Sequence, residues 1–257
     1  MKLEHANLMS IESRMDEIKK AVQSNILTNY FKQPMTGNTI LGTCTRRSIL
    51  FLNDDTDFYR LYYYSSDQSD LAALLKDACS PGRIVIDYVT REPDEHLQQA
   101  FREAGFRDYA MFVRLANHHL KVYDQPRCLQ YAEPGDLDGL WSRLMEFDKY
   151  VDHFPDKQTL LRLIEDRQAL LNKVDGAIRG YIIFRVMGSK ANFNYFYNKS
   201  DDPRDTLVLL RNFYGVLHER GIKSAIAWVN ITNSRVLRLH AQFGWKEDGL
   251  KDFFYLK

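Results

Sequence analysis

Apolar positions along the chain fall into two kinds of run. Short, nearly continuous apolar or aromatic stretches closed by polar or turn-forming residues predict strands. SILFL at 48–52, YRLYYYSS at 59–66, Ile84–Thr90, YAMFVRL at 109–115, GYIIFRV at 180–186, NFNYFYN at 192–198, Ser224–Asn230 and KDFFYLK at 251–257 are of this kind. Stretches with apolar residues three and four apart predict helices over about 11–31, 71–78, 137–150, 157–171 and 206–220. In 137–150 the apolar face is Leu137, Leu140, Trp141, Leu144, Met145 and Phe147, with Asp136 as the expected N-cap. A short strand is expected over 128–132 and a turn at 133–136.

The predicted elements repeat. The order strand, strand, helix, strand, helix, strand occurs twice, and each second helix ends in a Gly-aromatic pair, Gly105-Phe106 and Gly244-Trp245. Ile84 and Ser224 stand 140 residues apart and the two glycines 139, which points to one architecture used twice. The polar, Pro-containing stretch 117–128 is the expected junction, so the halves are 1–120 and 121–257. The expected fold class is α/β (α+β), each half a mixed, mostly antiparallel twisted sheet flanked by helices.

Composition narrows the function. The chain of 257 residues is long enough to bury a substantial core. Lys and Arg total 35 against 34 Asp and Glu, a net charge of +1, whereas a protein that neutralises phosphates should carry a basic excess. Nucleic acid is therefore not an expected partner. No run approaches the roughly 18 apolar residues of a membrane helix, and the first 20 residues have no apolar signal core, so no membrane partner is expected. Cys44, Cys79 and Cys128 are odd in number and far apart, which argues against a disulfide frame or zinc cluster and for reduced thiols in a cytoplasm. No metal site is expected.

Several local patterns have simple structural explanations. NDDTD at 53–57 has the composition of a calcium loop but lacks its Gly and terminal Glu, and reads as a hairpin turn. YRLYYY would make a stacking platform for bases, yet strand propensity explains it. His118-His119 has no metal-ligating partners at useful spacing. Motifs for phosphate loops, serine hydrolases, zincins and dinucleotide binding are missing.

The second half is more specific. The 16 residues from Asn230 to Trp245 place Asn230 at a strand end, Asn233 in the next loop, Leu239-His240 on a helix and Gly244 before an aromatic. This resembles the closing signature of the GNAT acyltransferase superfamily, and the element order of residues 129–257 is similar to it throughout. The first half resembles the same fold without the site: Phe101 stands where the second half has His240, and no paired Asn precedes it. The chain thus resembles a tandem GNAT protein with a degenerate amino-terminal half.

The physical basis of such a site is a pair of parallel strands that splay. Their freed main-chain N–H and C=O groups need partners, which an extended pantetheine arm supplies as a pseudo-strand. A helix N-terminus beyond offers orphan N–H groups to a pyrophosphate. Here the strands would be 192–198 and Ser224–Asn230, with the helix starting near residues 204–207. The resemblance implies acetyl-CoA or another acyl-CoA as substrate, held by Tyr197, Arg204, Thr206, Asn230 and Asn233. It implies His240 as the acid that protonates the departing thiolate. The acceptor, a small-molecule or peptide amine, would meet Tyr195, Asp152 and His153, with Asp148, Asp152 or His153 as base. Each assignment has a local alternative: Asn230 and Asn233 as turn or cap residues, His240 as a core histidine, and 148–153 as a solvated loop.

One departure stands out. The family places glycines before the helix, so that the backbone closes on phosphate. Arg204 and Thr206 occupy those positions here, and Asp201, Asp202 and Asp205 surround them. Lys199 and Arg204 offset that charge only in part. The expected function is acyl-CoA-dependent N-acylation, most simply N-acetylation. The rival is a GNAT-fold binding or scaffold module without catalysis. A third reading, aminoacyl transfer from tRNA by a tandem GNAT-like enzyme, suits the duplication but not the charge.

Overall fold

The computed structural model describes residues 3–22, 25–31, 40–55, 57–78, 82–121, 130–199 and 202–257. Cys79, Cys128, Asp201, Thr56 and most of the expected junction, 122–129, lie outside the described residues. The chain divides into two compact units, residues 1–111 with 250–257, and residues 112–249.

Elements run in the order β1 (Glu4–Ala6), α1 (Leu8–Ala21), β2 (Leu27–Thr28), β3 (Ile40–Cys44), β4 (Ser48–Asp54), β5 (Tyr59–Ser65), α2 (Gln68–Asp77), β6 (Ile84–Thr90), α3 (Glu95–Glu103) and β7 (Arg107–Asn117). They continue with β8 (Gln130–Tyr131), α4 (Leu137–Leu144), α5 (Lys157–Glu165), β9 (Ala169–Val174), β10 (Ala177–Met187), β11 (Lys190–Asn198), α6 (Pro203–Glu219), β12 (Ser224–Asn230), α7 (Ser234–Gln242) and β13 (Lys246–Leu256). The duplicated order is present, as β4, β5, α2, β6, α3, β7 and as β10, β11, α6, β12, α7, β13.

In unit 1 the strand order is β1-β3-β4-β5-β6-β13, with β2 on β5. Among the described residues only β5 and β6 run parallel. Its last strand is the carboxy-terminal one, Lys251–Leu256 opposite Val85–Thr90. One face packs Leu50, Leu61, Tyr63 and Ile86 against Leu71, Leu75, Leu97 and Phe101 of α2 and α3. The other packs Ile49, Phe51 and Tyr62 against Ile11, Met15 and Ile18 of α1. In unit 2 the order is β7-β12-β11-β10-β9-β8, with only β11 and β12 parallel among the described residues. Ile182, Phe184, Phe193 and Ala227 meet α6 and α7 on one face. Leu171, Tyr181, Ile183 and Tyr195 meet α4 and α5 on the other. Alternation along each strand feeds both layers, because successive side chains point to opposite faces.

Three predicted helix ends and one cap are corrected, and the shortest of these helices, expected over 137–150, ends at Leu144. The helix expected over 11–31 ends at Ala21, and Leu27–Thr28 form β2 beside Tyr64 and Ser65. The helix expected over 157–171 ends at Glu165; Arg167 adopts φ 54°, the chain reverses, and Ala169-Leu170-Leu171 become β9. Asp136 does not cap α4 with its side chain. Its carboxylate instead accepts from Glu133 N at 3.0 Å and pairs with Lys173 at 2.6 Å. The stretch 53–57 does link a hairpin, β4 to β5, with Arg60 Nε donating to Asp55 at 2.9 Å.

The Gly-aromatic pairs have one structural role in both halves. Gly105 and Gly244 adopt φ +92° and +86°, the left-handed conformation that ends α3 and α7. Phe106 N then donates to Phe101 O at 3.1 Å, and Trp245 N to His240 O at 3.2 Å. Phe101 and His240 therefore occupy the same position of the same helix ending, and both are buried.

Candidate acyl-donor site

The central feature is where a ladder ends. β11 and β12 pair in parallel over four positions, from Lys190↔Ser224 to Phe193↔Ala227. Both strands then continue without pairing each other, β11 through residues 194–198 and β12 through 228–230. The cause is local. In the β10–β11 ladder Phe184 faces Phe193 and Ile183 faces Tyr195, so Asn194 is an extra, exposed residue. A bulge bends its strand and increases its twist. It also flips the alternation. Phe193 points to the α6/α7 face, while Tyr195 points to the α4/α5 face with Ile183. Tyr195 and Tyr197 share that face and Phe196 takes the other. The sequence did not reveal that Phe193 and Tyr195 are on opposite faces.

The far end of β11 is tied on several sides. Tyr195 OH donates to His153 O at 2.6 Å. Phe147 and Phe154 contact the Tyr195 ring at centroid distances of 5.8 and 6.3 Å. Tyr197 stacks on Tyr181 at 5.3 Å and donates to Glu146 Oε2 at 2.9 Å. Lys199 reaches the same carboxylate at 3.2 Å, and Arg143 pairs with it at 2.5 Å. Hydrogen bonds from Arg143 first, then Tyr197 and Lys199, hold the Glu146 carboxyl down to about 2. A carboxylate this acidic is a poor general base at neutral pH, so Glu146 anchors the wall. It was missed in the sequence because Tyr197 and Lys199, which bring it to the end of β11, come from 51 and 53 residues away, while Arg143 is an ordinary i,i+3 neighbour. Asp152 lies in a turn, with its N–H on Asp148 O at 2.9 Å. Tyr181 OH is buried without a hydrogen-bond partner among the described residues, and desolvation above all raises its pKa.

The N-terminus of α6, the expected anion end, is occupied by the chain itself. Asp202 caps α6, accepting from Arg204 N at 2.9 Å. The Arg204 guanidinium folds back onto the same carboxylate, with Nε at 2.9 Å and a terminal nitrogen at 2.8 Å. The Arg204 partnership holds the Asp202 carboxyl below its usual range, so it is charged at neutral pH. A carboxylate is thus already seated where a helix N-terminus would receive a phosphate. Thr206 accepts from Asn198 Nδ2 at 2.6 Å, which fixes the first turn of α6 to the end of β11.

At the end of β12 the two asparagines make local bonds. Asn230 Oδ1 accepts from Thr232 N and Oγ1 at 2.9 and 2.8 Å. Asn233 Oδ1 caps α7 by accepting from Val236 N at 3.2 Å. Turn and cap chemistry accounts for both oxygens, and both side chains are at least partly exposed.

His240 requires a correction. Only 1% of it is exposed, and its ring meets Trp245 and Phe193 edge-on at 5.1 and 5.5 Å. Nδ1 has no partner among the described residues, and desolvation lowers its pKa to about 4. At neutral pH it is a neutral imidazole in a core, with no imidazolium proton to give a thiolate. The expected acid role does not fit this environment. The site therefore gathers Tyr195, Tyr197, His153 and Thr206 around the end of β11, sets Asn230 and Asn233 at the end of β12, and places His240 beneath the last paired position. Among the described residues no three His, Cys, Asp or Glu side chains converge as a metal site.

No family model and no curated protein matches the sequence. Solved structures match the fold. An acetyltransferase of the GNAT family from Colwellia psychrerythraea aligns over 100% of this chain and 99% of its own, with TM-score 0.58 and 13% identity. A GCN5-related N-acetyltransferase from Sphaerobacter thermophilus aligns over 82% and 80%, with TM-score 0.55 and 12% identity. The fold is thus that of the GNAT N-acetyltransferases, a mixed α/β sheet flanked by helices. The arrangement has a tandem counterpart: a tandem GNAT protein from the clavulanic acid biosynthesis pathway covers 100% of this chain and 98% of its own, with TM-score 0.57 and 11% identity.

Proposed function

We propose that unit 2 is the working half of an acyl-CoA-dependent N-acyltransferase, most simply an N-acetyltransferase acting on a small-molecule or peptide amine in a reducing cytoplasm. One observation carries this reading: the β11–β12 ladder stops at Phe193 and Ala227 while both strands run on. The edges of residues 194–198 and 228–230 suit an extended arm with amides, which would pair as an added strand. The amine nitrogen would attack the thioester carbon from the Tyr195/Tyr197 face. A main-chain N–H of the splayed edge would hold the oxyanion, and the C–S bond would then break. Since His240 is neutral and buried, the thiolate would take its proton from solvent at the mouth of the wedge, and the amine would lose its proton to solvent. Tyr197, Asn230 and Asn233 would border the donor arm, with Asn Nδ2 groups facing its carbonyls. Binding pyrophosphate at α6 would require Asp202 to release Arg204, which then becomes the phosphate ligand beside Thr206. Tyr195, Asp152 and His153 would border the acceptor.

A second reading has its own observation. The Asp202 carboxylate on the α6 N-terminus and the pairing of Arg204 and Lys199 with carboxylates suit a fold that has given up coenzyme A and serves as a binding or scaffold module. Calorimetric titration with acetyl-CoA and coenzyme A separates the two. Micromolar binding is expected for the enzyme, and no heat at millimolar ligand assigns the chain to the second reading.

A further inference from the structure

Unit 1 repeats the splayed pair. β5 and β6 are parallel, and their ladder has only two positions, Tyr59↔Ile84 and Arg60↔Val85, before both strands run on for five residues. Here the gap is filled. Asn29, 3% exposed, lies between the strands. Its Nδ2 donates to Leu61 O on β5 at 2.9 Å and to Asp87 O on β6 at 3.0 Å. Its Oδ1 accepts from Tyr63 N at 2.8 Å. A single side-chain amide thus satisfies three main-chain groups that the divergence would leave orphaned in the interior. The flanking residues complete the seal. Thr28 Oγ1 donates to Tyr63 O at 2.8 Å, Leu27 and Thr28 pair with Ser65 and Tyr64, and Tyr30 packs edge-on against Phe51 and Tyr62. Beyond β5, α2 is capped by Asp67, which accepts from Asp70 N at 3.0 Å and pairs with Arg47 at 2.6 Å.

We propose that the divergent strand pair of unit 1, of the same design as β11–β12, is permanently occupied by residues 27–30, with the Asn29 amide standing where a ligand amide would pair. Unit 1 then accepts no acyl donor, and Asn29 is an internal ligand of the fold. The inference concerns unit 1 only and stands whichever reading of unit 2 holds.

Residue-resolved amide hydrogen exchange on the full chain tests it. In the unmodified protein the Tyr63 amide, which has no main-chain strand partner at the gap, should exchange as slowly as the laddered amides of β5. In Asn29→Ala it should exchange at least about a hundredfold faster, while amides of unit 2 change less than threefold. In the unmodified protein, 5 mM acetyl-CoA should change protection of residues 61–65 and 86–90 less than twofold. The inference is overturned if the unmodified Tyr63 amide exchanges like a solvent-exposed one, or if acetyl-CoA protects those residues. Should Asn29→Ala fail to fold, the two measurements on the unmodified chain still decide.

Discussion

At the scale of single residues, burial decides which polar side chains are free to do chemistry. His240 is the clearest case. Its folded pKa of about 4 lies below the unfolded value near 6.5. Between these values the unfolded chain binds the extra proton, so stability is complete above about pH 6.5 and is lost as pH falls through 4. The shift corresponds to about 3 kcal/mol. Urea melts of the native chain and His240→Phe across pH 4–7.5 should differ by less than about 1.5 kcal/mol at pH 7.5, and the native chain should lose up to about 3 kcal/mol relative to Phe as pH falls toward 4. Turnover of His240→Phe should change less than about threefold if the wedge acylates amines. A loss of a hundredfold would restore the histidine to the chemistry. Asp202 gives a second prediction. Asp202→Ser keeps a capping oxygen, removes a charge from the anion end and frees Arg204, so coenzyme A should bind roughly threefold to tenfold tighter at low salt in calorimetry. Unchanged affinity would mean that the phosphates never approach α6. The sequence named His240 and Asp202 but could not place them, because neither burial nor a folded-back guanidinium has a pattern in one dimension.

At the scale of elements, the strands and helices that the sequence showed most plainly were those with long, periodic apolar faces, such as β6, β12 and α6. The failures cluster where a helix-like pattern crosses a reversal. Leu163, Ile164, Leu170 and Leu171 have helical spacing, yet Arg167 turns the chain between them. The bulge at Asn194 was illegible for a related reason: one extra residue leaves hydrophobic alternation looking intact while swapping which face it serves. Where β11 ends, α6 packs so closely that Gly180 has no room for a side chain. A Cβ there would lie 2.8 Å from Leu209 Cδ1 and 3.1 Å from Tyr197 O. Gly180→Ala should therefore cost roughly 1–3 kcal/mol in a denaturant melt and weaken donor binding by displacing Tyr197. A neutral effect would show that α6 is not pressed against β10 at this point.

At the scale of the whole molecule, the duplication was legible because order and spacing recur together. The compact units were less so, since the last strand of each half has the same aromatic pattern and nothing local says which sheet it completes. KDFFYLK pairs with β6 in unit 1, and residues 112–117 pair with β12 in unit 2. What separates the units functionally is how each treats its divergent strand pair. Unit 1 fills the gap with Asn29, whose contribution is invisible in sequence because its partners lie 32, 34 and 58 residues away. In unit 2 the ladder ends at Phe193 and Ala227, and the same main-chain edge is the proposed seat of the donor. Hydrogen exchange with and without acetyl-CoA tests that assignment most directly. Amides within residues 194–198 and 228–230 should slow at least about tenfold at saturating ligand, with no comparable change elsewhere in unit 2. Exchange in both segments that ignores the ligand would contradict it.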